Sequence, residues 1–197
     1  MDFLNSIILL TNFIIVPGIT YGSQLALGAI GVTLIYGVLR FANFAYGDLM
    51  AFGTMIVILV TWFLQSKGIT FGLLPTALLA LPVGILLTIA VSLFFDKTVF
   101  EYYRNKKSDP VTFIVVSLGI MFVLNAVVRI IIGPNDINFM DGHKFIMKAR
   151  EFKQMTGLNE GLALKSTQVI TLITTIITCS ILFYFLNKTK TGKSMRA

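Results

Sequence analysis

The chain has 197 residues, 56% of them hydrophobic and only 13% charged, with a mean hydropathy of +0.85. Soluble domains carry about a quarter charged residues, so this balance excludes an ordinary water-soluble core and equally excludes intrinsic disorder. A single cysteine, Cys179, rules out an internal disulfide framework and a single histidine, His143, a multi-histidine metal site; the net charge of +7 lies between apolar runs, where it sets membrane topology and does not point to nucleic acid.

Five stretches without formal charge follow one another along the chain: 3–39, 49–66, 68–95, 110–128 and 166–187. A transmembrane helix needs about 20 mostly apolar residues, so each of the last four fits one span, with Gly47 helping to extend the second. The first is too long for one crossing. At 1.5 Å per residue it would make a helix of roughly 55 Å, nearly twice the hydrocarbon thickness, and a break is expected at Pro17-Gly18. Residues 20–39 are then a full span, and residues 3–16, which carry Asn5 and Asn12, an interfacial or half-inserted helix. Asp2, with no base before the apolar stretch, argues against a cleaved signal peptide.

Only helices and closed barrels satisfy their backbone in lipid, and these runs are too long and too continuous for barrel strands. The fold class is therefore all-α: a polytopic transmembrane helical bundle of about five full spans plus the N-terminal helix, in one domain over 1–197. Orientation follows the bases. Segments 96–110 and 188–197 hold eight Lys and Arg in 25 residues, against five in the 33 residues of 133–165. The first two are expected in the cytoplasm and 133–165 outside, which puts Arg40 inside and Lys67 outside. The outer loop contains Gly133-Pro134-Asn135-Asp136 and Met140-Asp141-Gly142-His143, turn signals that predict a small folded flap.

Between the first two full spans, Arg40, Asn43 and Asp48 fall within nine residues. Such groups are costly against lipid and should turn toward protein or a water-filled cavity. If this stretch stays helical, Arg40 and Asp48 lie on roughly one face. The alternative is a loop at the membrane surface with Arg40 acting only as a topology anchor. A packing signal lies just upstream: Gly18, Gly22 and Ala26, then Ala29, Thr33 and Gly37, form small-residue stripes at four-residue spacing, which predicts close packing of the first full span inside the bundle.

The string Leu34-Ile35-Tyr36-Gly37, then Asn43-Phe44-Ala45 and Gly47-Asp48, resembles the N-terminal signature of permease subunits of branched-chain amino acid ABC transporters. Upstream, Tyr21-Gly22-Ser23, Ala26-Leu27 and Ala29-Ile30-Gly31 fit the first full helix of that family. The resemblance implies that Tyr36, Gly37, Arg40, Asn43, Tyr46, Gly47 and Asp48 belong to the translocation pathway. Tyr46 departs from the family, which commonly has His there; a Tyr hydrogen-bonds but is no proton switch near neutral pH.

At the other end, Lys190-Thr191-Gly192-Lys193-Ser194-Met195-Arg196-Ala197 looks like the opening of the cytoplasmic loop that engages the ATPase, so Gly192, Met195, Arg196 and Ala197 are implied in coupling. A basic stop-transfer flank would look the same in isolation. Family members continue into a coupling helix and further spans, so the chain is read as a truncated, N-terminal portion whose ATPase coupling is expected to be weak or absent. The implied function is the membrane-spanning subunit of an importer for branched-chain or related amino acids in the bacterial inner membrane, with no cofactor of its own. Its implied partners are ABC ATPase subunits, a second permease subunit and an extracytoplasmic substrate-binding protein. A urea or short-amide permease of the same family, and a channel or anchor, remain alternatives. An intramembrane enzyme does not fit, because the only acid near a span is Asp48 and no nucleophile–base or metal-binding set accompanies it.

Overall fold

The computed structural model describes residues 2–69, 74–135, 145–156, 160–190 and 192. The helices are α1 (Asp2–Leu10), α2 (Val16–Leu39), α3 (Ala45–Ser66), α4 (Ala77–Phe95), α5 (Glu101–Asn105), α6 (Pro110–Ile132), α7 (Ala149–Thr156) and α8 (Ser166–Lys188). Two short strands, β1 (Phe145–Met147) and β2 (Leu164–Lys165), pair antiparallel with an irregularity in register. Five helical runs are long and apolar enough to cross a membrane: Phe3–Leu39, Ala45–Ser66, Ala77–Asn105, Pro110–Ile132 and Ser166–Lys188. The protein is a polytopic helical membrane protein, as its charge-free runs require.

The first run differs from expectation. No break occurs at Pro17-Gly18; α1 and α2 are joined through a π-helical turn, Thr11–Ile15, into one helix of 37 residues. The reason is local. Pro17 has no N–H and its ring crowds the carbonyl four residues back, and the widened turn just upstream accommodates both, with the Val16 N–H bonding to the Thr11 carbonyl. A second widened turn, Asp96–Phe100, carries α4 into α5, so the helix runs on into the basic segment 96–110 and ends only at Asn105. Asp96 and Arg104 bridge that turn with two hydrogen bonds of 2.7 and 2.9 Å.

The chain divides into two compact units, Met1–Gly31 with Gly142–Ala197, and Val32–Asp141. In the first unit, Asn5 and Asn12 bind the backbone of the segment before α8. Asn12 donates to the Gly161 carbonyl at 2.7 Å and accepts from the Ala163 N–H at 3.0 Å, and Asn5 accepts from the Glu160 N–H. The two polar residues that suggested an interfacial helix are thus matched by peptide groups. Between α6 and α8, where a flap is expected, the described residues form β1, α7 and β2; residues 136–144, with His143 and the second turn signal, lie outside the described part.

In α8 the hydroxyls of Thr171, Thr174, Thr175 and Ser180 each donate to the carbonyl four residues earlier, at 2.7–2.8 Å. None is left to seek a partner in lipid.

The second unit is built on α3, which packs against both α4 and α6. Its core gathers Phe41, Ala45, Phe100, Ile120 and Leu124, with Phe113 stacked 5.1 Å from Phe41. The close helix approach is made by Gly53 and Gly84, not by the stripe in α2. A Cβ on Gly53 would stand 2.7 Å from Thr88 Oγ1 and one on Gly84 would collide with Val57 Cγ2, whereas Gly18, Gly22 and Gly37 have nothing within 4 Å among the described residues. Small residues permit close packing but do not by themselves bring a neighbour to the face that carries them. Gly84→Leu is therefore expected to destabilise the protein by about 1–3 kcal/mol through overpacking. Gly22→Ala should be neutral or stabilising by roughly 0.5–1 kcal/mol through helix propensity. Thermal melts of both variants in detergent check the contrast.

Candidate functional site: an interrupted helix pair

The stretch from Arg40 to Phe44 is not helical, so the condition that would have put Arg40 and Asp48 on one helix face is not met. Helix α2 stops because Arg40 turns into the left-handed region, φ 61°, while its N–H still bonds to the Tyr36 carbonyl at 2.9 Å. A side chain in that conformation costs about 1–2 kcal/mol, and glycine is the usual residue for such a stop. Asn43 then opens α3: its side-chain oxygen accepts from the Ala45 N–H at 3.1 Å, and its carbonyl accepts from the Tyr46 N–H at 3.4 Å. This is the asparagine's turn-forming role, matching orphan amides at a helix start.

The break is pinned to α6. The Phe44 N–H donates to the hydroxyl of Ser117, which is fully buried and itself donates to the Ile114 carbonyl at 2.8 Å. Ser117 lies seven residues into α6, about 10 Å along its axis from Pro110, so the non-helical segment is set back beside the helix and does not cap its end. Irregular backbone against a membrane-spanning helix is tolerated where protein groups match it, as Ser117 and Asn43 do.

Further along α6, Asn125 donates from Nδ2 to Asp48 Oδ1 at 2.9 Å and accepts at Oδ1 from Arg129 Nε at 2.8 Å. The carboxylate, amide and guanidinium form a polar line between α3 and α6, with Asn125 and Asp48 half-buried and Arg129 exposed. Sequence reasoning missed Ser117, Asn125 and Arg129. Their signal was present: Ser117 and Asn125 are polar residues in an otherwise apolar span, and Asn125 precedes Arg129 by four, the spacing that puts both on one face.

The remaining sequence candidates are placed as follows. Tyr36 is exposed near the end of α2, Tyr46 is half-buried in the first turn of α3, and Gly37 and Gly47 have open space where a Cβ would be. Gly192 is described, its N–H bonding to the Thr189 hydroxyl at 3.0 Å; Met195, Arg196 and Ala197 lie outside the described residues.

Arg40 is grouped with a different set from Asp48. It borders a cavity of about 240 Å³ together with Phe41, Asp96, Phe100, Arg104 and Phe113. Just past α5, the Lys106 ammonium stands 4.5 Å from the Tyr102 ring centroid, and hydrogen bonding to the Tyr102 hydroxyl holds its pKa above the ordinary lysine value. No group of metal-binding side chains occurs among the described residues.

Five apolar helices long enough to cross a membrane, with α2 and α3 joined by the short non-helical segment 40–44 and α3 linked to α6 by a polar line, define a multi-pass membrane protein. More particularly, the chain belongs to the family described as the branched-chain amino acid transport system permease component, whose family model matches residues 14–197. It is 25% identical to the high-affinity branched-chain amino acid transport system permease protein LivH of Escherichia coli K12, over 91% of this chain and 56% of that protein. The LivH protein of Salmonella typhimurium is 24% identical with the same coverage. The permease protein BraD of Pseudomonas aeruginosa is 38% identical over 55 residues, 28% of this chain and 18% of that protein. The chain thus spans about half the length of the LivH proteins it matches. No solved structure matches it.

If the Asp48–Asn125 bond holds α3 to α6, Asn125→Ala should destabilise the protein, and a double-mutant cycle with Asp48→Ala should return a coupling of about 0.6–1.7 kcal/mol, the range for interhelical side-chain bonds in membrane proteins. Unfolding titrations in mixed micelles measure it.

Proposed function

We propose that this chain supplies the membrane-embedded permease portion of an ATP-driven importer for branched-chain amino acids, working with separate ATPase subunits, a second permease subunit and an extracytoplasmic substrate-binding protein. The observation that carries the reading is the break at Arg40–Phe44, pinned to α6 and continued by Asp48, Asn125 and Arg129, inside the segment that matches the family. Polar groups between membrane-spanning helices are costly unless they face protein or a pathway, and Asp48, Asn125 and Arg129 stand between the continuous helices α3 and α6. Substrate identity is supported by the branched-chain amino acid transport for which the relatives are named, and ATP hydrolysis is assigned to partner subunits.

In this reading Tyr36, Gly37, Asn43, Tyr46, Gly47 and Asp48 border the translocation pathway, Arg40, implied there by the sequence, faces the separate recess beside Phe41 instead, and Gly192, Met195, Arg196 and Ala197 lead toward the ATPase contact. The segments 96–110 and 188–197 face the cytoplasm of a bacterial cell and 133–165 faces outside, the denser bases lying inward.

The experiment is uptake of leucine by membrane vesicles in which a transporter of the relatives' full length that carries this segment is expressed with its ATPase, second permease and binding-protein subunits. ATP-dependent accumulation is expected, and Asp48→Ala should lower it more than it lowers membrane abundance. Uptake that is indifferent to ATP refutes the importer; equal loss of abundance and uptake assigns Asp48 to folding alone. Orientation has its own check in a Cys179→Ala background. Lys148→Cys should react with an impermeant thiol reagent added to intact cells and Lys106→Cys should not; the opposite pattern inverts the topology.

A further inference from the structure

The recess at the end of α2 is not part of the Asp48 line, and its chemistry is that of an amphiphile site. Phe41, Phe100 and Phe113, with Val38, Leu39 and Pro110, make most of its wall apolar, and Arg40, Arg104, Asp96 and Ser108 bring the polar groups. Asp96 is already held by both terminal nitrogens of Arg104, so that pair is neutral as a unit. Arg40 has no ion pair among the described residues, and the recess therefore carries one uncompensated positive charge.

The backbone adds a second observation. Arg40 holds the left-handed conformation, where glycine would end the helix with less strain. The stop does not need a guanidinium, so the charge and the turn are separable. The recess also lies at a helix end. It borders the first turn of α6, with Pro110 and Phe113 in its wall, and the break itself is about 10 Å along that helix; with α6 crossing a bilayer, such an end falls where headgroups meet acyl chains and a long basic side chain can reach a phosphate. Lys97, Lys106 and Lys107 at the same end of the unit outnumber Glu101 and Asp109, which favours anions over zwitterions there.

We propose that this recess binds the headgroup of an anionic phospholipid, with the phosphate on Arg40 and the Ser108 hydroxyl and the glycerol and upper acyl carbons against the three phenylalanines. A free anion would leave that apolar wall uncovered, so the lipid is the occupant. The proposal rests on α4 to α6 lying in a bilayer and not on the identity of the transported solute.

The test uses the purified full chain in nanodiscs of phosphatidylcholine with and without phosphatidylglycerol, read by native mass spectrometry for retained lipid and by thermal melting. Wild type should retain phosphatidylglycerol in preference to phosphatidylcholine and melt higher in its presence. Arg40→Gly should melt at least as high as wild type in pure phosphatidylcholine, because the turn is relieved, yet lose the preference; Arg40→Gln, which keeps a long polar side chain, should lose it too. The control is Lys107→Gly, a second basic residue with positive φ at the same end, which should keep the preference. Excess inorganic phosphate should not displace the lipid. Equal retention of the two lipids by wild type, an unchanged preference in either Arg40 variant, a matching loss in Lys107→Gly, or displacement by phosphate would each overturn the proposal.

Discussion

Lipid offers no hydrogen bonds, and the structure is organised by the need to match every polar group from within the chain. Unbroken helices do this for most of the backbone. Where the helix is broken, between Arg40 and Phe44, side chains replace the lost ladder: Asn43 receives the Ala45 amide and Ser117 the Phe44 amide. The same rule governs the polar side chains. Asp48 is met by Asn125, and Asn12 is met on both edges by the Gly161 carbonyl and the Ala163 amide.

This accounting makes α6 the reference element of the second unit. Ser117 fixes the start of α3, Asn125 fixes Asp48 eight residues further on, and Ile120 and Leu124 supply the apolar contact between. The Phe41, Phe100 and Phe113 cluster holds the end of α2 to the same frame. Strain at Arg40 is sustained because the buried Phe41 and the Asn43 turn that follow it leave the backbone little choice.

The spans were legible in the sequence because charge is expensive in lipid: each charge-free run of suitable length became a helix. Helix continuity was not legible. Proline breaks a helix only if nothing absorbs its missing bond, and the widened turn at Thr11–Ile15 absorbs it; likewise charges at Asp96 and Arg104 suggested a loop, but their mutual pairing across eight residues lets the helix proceed. The family was legible from the residue string between Tyr36 and Asp48. Its partners were not, since Ser117 and Asn125 lie more than seventy residues away and a single sequence carries no record of which helices touch. Small-residue stripes failed for the same reason: Gly22 and Gly84 look alike in sequence, and only Gly84 has a neighbour against it.

The hydroxyls of α8 have a consequence for how the chain is made. The helix is apolar enough to cross a bilayer even with these residues in it. Because the hydroxyls of Thr171, Thr174, Thr175 and Ser180 are each committed to a carbonyl of the same helix, they add little polarity to its exterior once it is wound. In an extended nascent segment these groups are wet, and winding is what dries them. A helix that settles against this part of α8 meets those four side chains by contour and not by polarity.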